Sequence, residues 1–132
     1  MTADEFKTGI SFSMKRRRVL IYRCSLRALG MPKNIRFLLN MKKRRVAVQA
    51  CEAIDRDSFK VPEFNLGSKD QYEITSQSFL KVIYKLAEWN RDKTYQLKGV
   101  VYPENRLIEF DLAAAEEISE DEFVDPEINQ LV

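Results

Sequence analysis

Apolar positions along this chain follow two periods in turn, and the order of those periods outlines its elements. Val19 to Tyr22 is a run of β-favouring residues. Leu26 and Leu29 then sit three apart, with Ser25 as a candidate N-cap and Gly30 as a stop. Pro32 forbids continuation. The reading is a strand followed by a helix of one to two turns, too short to stand without packing. Ile35, Phe37 and Leu39 alternate with Asn34, Arg36 and Asn40. Val46, Val48 and Ala50 alternate with Ala47, Gln49 and Cys51. Period two on both sides of a polar tip predicts a β-hairpin. Residues 52–71 lose the periodicity and contain Pro62 and Gly67. They read as an irregular connection with room for one short strand near Phe59 to Val61.

The pattern then recurs. Tyr72 to Thr75 reads as a strand, Ser76 as a cap, and Asn90 as a terminator. Between them Phe79, Leu80, Ile83, Tyr84, Leu86 and Ala87 share one helical face. A second hairpin follows, with Tyr95, Leu97 and Gly99 on one strand and Ile108, Phe110 and Leu112 on the other. Pro103-Glu104-Asn105 supplies turn chemistry. The expectation is an α+β fold made of two strand–short helix–hairpin units, an internal repeat. The chain divides into a basic N-terminal arm (1–16), a first basic unit (17–51), a connection (52–71), a second unit (72–112) and an acidic tail (113–132). Within the tail, Ser119 to Glu122 has the form of a capping box.

Length adds one constraint. A chain of 132 residues reads as one domain, or two very small ones, and buries roughly 68% of its unfolded surface, enough for a core without staples. Its hydrophobic fraction of 45% and charged fraction of 32% are those of a globular chain. No apolar run approaches the ~18 residues of a membrane span. The opening MTADEFKTGISFS lacks a basic start and an apolar signal region. A cytoplasmic protein is expected, without a membrane partner. Cys24 and Cys51 have apolar flanks and read as reduced core residues. The chain has no histidine and no CxxC, so neither a zinc site nor a cofactor is expected.

Charge changes the picture more. The net charge of +2 conceals 13 cations and 2 acids in residues 1–50, a net of +11. Residues 51–132 carry 9 cations and 18 acids, a net of −9. Such a division suggests a nucleic-acid surface beside an acidic segment; two solvated faces that neutralise each other are the alternative. The first half offers Lys15, Arg16, Arg17, Arg18, Arg23, Arg27, Lys33, Arg36, Lys42, Lys43, Arg44 and Arg45. Six to ten phosphate contacts from such a set weaken roughly 10³–10⁵-fold between 50 and 200 mM salt. The four cations Lys42 to Arg45 at a hairpin tip either hold phosphates or protect a strand edge from aggregation. Tyr22, Phe37, Trp89 and Tyr95 could stack on bases, although each lies in an apolar pattern that favours the core.

Enzyme chemistry finds little support. No histidine is present as a general base, and only 4 glycines occur, none in a phosphate loop. Glu109 and Asp111 have the parity of a carboxylate pair on one strand face, a pattern that an exposed charged face explains. Cys24 lies among Arg23 and Arg27 but has no evident partner base, and reads as structural.

The stretch RRVLIYRCSLRALGMPKNIRFLLNMKKRRVAVQA resembles the DNA-binding unit of the AbrB-type swapped-hairpin regulators. Arg18 leads Val19-Leu20-Ile21, and Leu26-Arg27-Ala28-Leu29-Gly30 matches the family's short helix and its Leu-Gly stop. The two-copy arrangement is similar to the MraZ-type branch. The resemblance covers residues 17–51 well and 72–112 weakly. It implies a small β-barrel-like domain, a transcription regulator, double-stranded DNA as the partner, and DNA contacts from Arg18 and Arg27. From the residues themselves we add Arg16, Arg17, Arg23, Lys33, Arg36, Lys42, Lys43, Arg44 and Arg45. A homodimer, an acidic protein partner and RNA stay open as alternatives.

Overall fold

A computed structural model describes residues 8–52, 58–61 and 72–118. The order is β1 Ile10–Ser13, β2 Arg18–Ile21, α1 Arg23–Ala28, β3 Asn34–Asn40, β4 Arg45–Cys51, β5 Phe59–Lys60 and β6 Tyr72–Ile74. Then follow α2 Gln77–Ala87, β7 Thr94–Leu97, β8 Gly99–Tyr102, β9 Leu107–Asp111 and β10 Glu116–Ile118. The strands build two antiparallel sheets of five, β10-β7-β1-β2-β6 and β5-β3-β4-β9-β8. The class is α+β as expected. In place of a closed barrel there are two open sheets, because no described strand of one pairs with a strand of the other.

The β3–β4 register aligns Ile35 with Ala50, Phe37 with Val48 and Leu39 with Val46, so both period-two sets share one face. That face joins a single apolar cluster with Ile10, Phe12, Val19 and Ile21 of the first sheet. Leu26 of α1 with Leu29 that caps it, and Leu80, Ile83 and Tyr84 of α2, complete it. Each fully buried side chain of this size contributes about 1.5–3 kcal/mol. The α2 face is the one its periodicity predicts.

Four features depart from the sequence reading. Segment 1–16 contains β1, wholly buried between β2 and β7. The alternation Ile10-Ser11-Phe12-Ser13 is its signal. Helix α1 starts at Arg23, with Tyr22 as N-cap and no side-chain cap bond. Ser25 lies inside it as a clasp rather than a cap. The Gly9 N–H donates to Ser25 Oγ (2.7 Å), and the Ser25 hydroxyl donates to the Gly9 carbonyl (2.8 Å). The Gly30 stop does hold: with φ 83 it lets Met31 N–H reach Leu26 O at 2.8 Å, a Schellman closure.

The second unit is no copy of the first. Its expected hairpin strand breaks at Lys98. Strand β7 joins the first sheet between β1 and β10, while β8 and β9 form the hairpin in the second. A Cβ at Gly99 would lie 2.5 Å from Ile108 Cγ2 and 2.9 Å from the Glu109 carbonyl oxygen, so the corner admits only glycine without a shift. Thr8 Oγ1 clamps it, donating to Gly99 O (3.0 Å) and accepting from Gly99 N (2.9 Å). Finally, the acidic tail begins as structure: Glu116–Ile118 is β10, paired with β7.

Other expectations fall into place. β5 occupies the short strand foreseen in the connection, and Pro103–Asn105 forms a 3₁₀ turn. Cys24 is buried, Cys51 half-buried, and neither is in a disulfide. No described helix is long and apolar enough to cross a membrane. The capping box at Ser119 to Glu122 lies outside the described residues.

Candidate nucleic-acid interface

Two hairpin tips carry six exposed cations between them, and one residue of each touches the C-terminal end of α2. The first tip, Met14 to Arg17, joins β1 to β2. Its Met14 N–H donates to the Tyr84 hydroxyl at 3.1 Å. That hydroxyl also lies 2.9 Å from Phe12 O and 2.7 Å from Lys93 O, donating to one at a time. The second tip, Met41 to Arg44, joins β3 to β4. Its Arg44 reaches Glu88 at 3.5 Å. Tyr84 and Glu88 are four residues apart, about one turn or 6 Å along the helix. Helix α2 ends there in a second Schellman closure, with Trp89 N–H donating to Tyr84 O (3.0 Å) and Glu88 at φ 58.

The tips share a sequence as well as a location: Met-Lys-Arg-Arg-Arg-Val at 14–19 and Met-Lys-Lys-Arg-Arg-Val at 41–46. Sequence reasoning found the second and missed the first. The signal was this short repeat, placed across the boundary drawn between arm and unit. In each tip a polar side chain three residues back closes the turn. Arg16 N–H donates to Ser13 Oγ (3.1 Å) and Lys43 N–H to Asn40 Oδ1 (3.0 Å). Arg17 and Arg44 take the left-handed position at φ 57 and 53. Lys15, Arg16, Arg17, Lys42, Lys43 and Arg44 are all exposed.

The remaining candidates are placed elsewhere. Arg18 and Arg45 open the strands after the tips and face Glu73 (3.4 Å) and Glu109 (2.9 Å). Arg36 lies on the outer face of the second sheet, where Nε and Nη2 donate to Gln49 Oε1 (3.0 and 2.8 Å). Arg23 and Arg27 lie on α1, and Lys33 precedes β3. These three belong to the opposite end. Arg106 in the β8–β9 turn donates to Leu29 O at 3.5 Å, and from there β9 runs five residues to Asp111 beside Arg45. Strand β3 alone separates Asn34 from Asn40 by roughly 20 Å. Apart from Arg36, the candidate cations of the first half therefore form two groups, with the larger at the tips.

The charge asymmetry of the sequence is partly folded away. Arg18–Glu73, Arg44–Glu88 and Arg45–Glu109 each join the basic half to the acidic half. The Arg44–Glu88 pair has side chains 53% and 75% exposed, so solvent screens it. It can open to a phosphate at little cost. Lys93, also at this end, is held by Glu117 at 3.0 Å, and this hydrogen bond raises its pKa above 10.5.

The other chemistry considered above is absorbed by structure. Glu109 faces Arg45, and Asp111 Oδ1 accepts from Ala113 N (3.0 Å), so the two carboxylates serve a pair and a cap. Tyr22 is fully buried. Phe37 packs on Phe79 at 4.5 Å, and Trp89 stacks on Tyr95 at 4.4 Å. Among the described residues no cluster of three metal-ligating side chains occurs. No family model, curated protein or solved structure matches this chain.

Proposed function

We propose that this protein is a regulator that binds double-stranded DNA, gripping the phosphate backbone with its basic hairpin tips. The observation that carries the reading is that Lys15, Arg16, Arg17, Lys42, Lys43 and Arg44 are all exposed on two hairpin tips, each of which touches the C-terminal end of α2. Lys and Arg displace the counterions condensed on a duplex, and this term supplies most non-specific affinity. Arg adds a planar fork suited to phosphate and guanine edges. The resemblance of residues 17–51 to AbrB-type units supports the same reading, with Arg18 and Arg27 as the matching positions. Arg27 lies at the other end from the tips, so a groove contact from α1 belongs to a second surface of the protein.

Six tip contacts at a slope of ~0.9 each predict a log–log salt slope of about −5.4. Affinity then falls about 10³-fold between 50 and 200 mM salt. Fluorescence anisotropy with a random-sequence duplex over that range tests it. A slope between zero and about −1, or no binding at 50 mM, refutes the reading and turns attention to an acidic protein partner. Competition with RNA duplexes separates DNA from RNA.

A further inference from the structure

We infer that the two tips are duplicate phosphate clamps that hold one duplex together, each contributing an equal share of the binding. The inference rests on the DNA reading above and deepens it. The tips agree at five of seven positions from Ser13 to Val19 and from Asn40 to Val46; Ser13/Asn40 and Arg16/Lys43 differ. The agreement extends to geometry. Each turn is closed by a side-chain acceptor three residues back, at 3.1 and 3.0 Å. Each places an arginine at positive φ just before the strand. Each then roots its first strand arginine against a glutamate on the neighbouring strand, Glu73 of β6 or Glu109 of β9.

A shared backbone path with shared rooting presents three exposed cations in the same order, twice. The one variable tip cation is Arg16 in one copy and Lys43 in the other. Bidentate reading of a base edge needs the arginine fork; a phosphate accepts either. That tolerance marks these positions as phosphate contacts. The fold then brings one residue of each copy to the C-terminal end of α2, Met14 to the Tyr84 hydroxyl and Arg44 to the Glu88 carboxylate. Two charge clusters on one rigid support meet two backbone segments of the same duplex.

The test compares two variants of equal charge change, Lys15→Gln/Arg16→Gln and Lys42→Gln/Lys43→Gln, with their combination. Arg17 and Arg44 are kept because they shape the turns. Each pair is expected to lower the slope from about −5.4 to about −3.6, and the combination to about −1.8. At 100 mM salt each pair weakens binding on the order of 60-fold. Arg16→Lys makes the two Met-to-Val tips identical and is expected to leave affinity within twofold. A single strand is expected to compete poorly, since one flexible backbone does not supply two fixed phosphate tracks. Unequal pairs, in which one removes most of the slope and the other leaves it at the wild-type value, overturn the inference. So does a tenfold loss from Arg16→Lys, which would make that tip a base reader, or equal competition by a single strand. A wild-type protein without a steep slope refutes the DNA reading itself, a distinct result that removes the inference with it. Unchanged thermal unfolding of every variant shows that the fold is intact.

Discussion

The Tyr84 hydroxyl is the hinge pin of the candidate interface, and Tyr84→Phe isolates it. The ring would stay in place, packed at 5.2 Å on Trp89 and 5.9 Å on Tyr95. Only the oxygen would go. Its loss leaves Met14 N–H without an acceptor and Phe12 O and Lys93 O without a shared donor. An unsatisfied buried group costs about 1–3 kcal/mol. Met14 is half-buried, so water reaches part of the gap, and the sum comes to about 2 kcal/mol. For a chain of this length that lowers Tm by roughly 6–10 °C. Circular dichroism melting measures the global loss. Hydrogen exchange at the Met14 amide measures the local one, and protection there is expected to fall first. A Tm within 2 °C of wild type, with Met14 protection unchanged, would refute the claim that this hydroxyl holds the first tip.

Four more predictions follow from the packing. Gly99→Ala forces a Cβ into Ile108, Phe110 and the Glu109 carbonyl, and is expected to cost about 1–3 kcal/mol in denaturant unfolding. Ser25→Ala removes the clasp on the Gly9 N–H, expected to cost about 1–3 kcal/mol in the same assay, with Gly9 O still bonded to Tyr22 N. Burial raises the Tyr72 phenol above 10.0, and its hydroxyl donates to Lys60 O at 2.7 Å. The unfolded chain therefore loses this proton at lower pH than the folded one. The contribution is complete below pH 10 and is lost as pH rises through the folded value; Tyr72→Phe is expected to flatten that decline in pH-dependent melting. Truncation after Ile118 removes five acidic residues while keeping β10, and is expected to tighten duplex binding in anisotropy if the acidic segment shields the basic tips. An unchanged Kd would rule the shield out.

Much of the local structure is legible in the chain because local rules act there without competition. The β3–β4 hairpin follows from strict alternation around a polar tip, and α2 from one apolar stripe opening after Ser76, although the helix stops at Ala87, with Glu88 in the left-handed position, before the expected terminator Asn90. Gly30 stops α1 because only a residue tolerant of positive φ closes that turn. Ser25 was legible only as a polar residue near a helix start. Its bonds run sixteen residues back to Gly9, and no local pattern encodes them. Likewise Ile10–Ser13 alternates for four residues only, too short to stand out until β7 supplies its second edge.

The candidate site divides the same way. Sequence alone determined that cations concentrate in the first half, that four of them sit on a hairpin tip, and that histidine-based chemistry is absent. It also held the first tip, Met14 to Arg17, in plain view as a repeated Met-Lys-x-Arg-Arg-Val. Tertiary structure decided which charges act together. Pairing β2 with β6 and β4 with β9 sets Arg18 and Arg45 against glutamates from the other half of the chain. The crossover at Gly99 assigns β7 and β8 to different sheets, which leaves two open sheets instead of a barrel. Helix α2 then gathers both basic tips at one end and leaves Arg23, Arg27 and Lys33 at the other. Charge is a property of composition, but a charged surface is a property of distance. Electrostatic attraction to a duplex fades within about 8 Å at physiological salt, so only the fold decides which cations share a phosphate track.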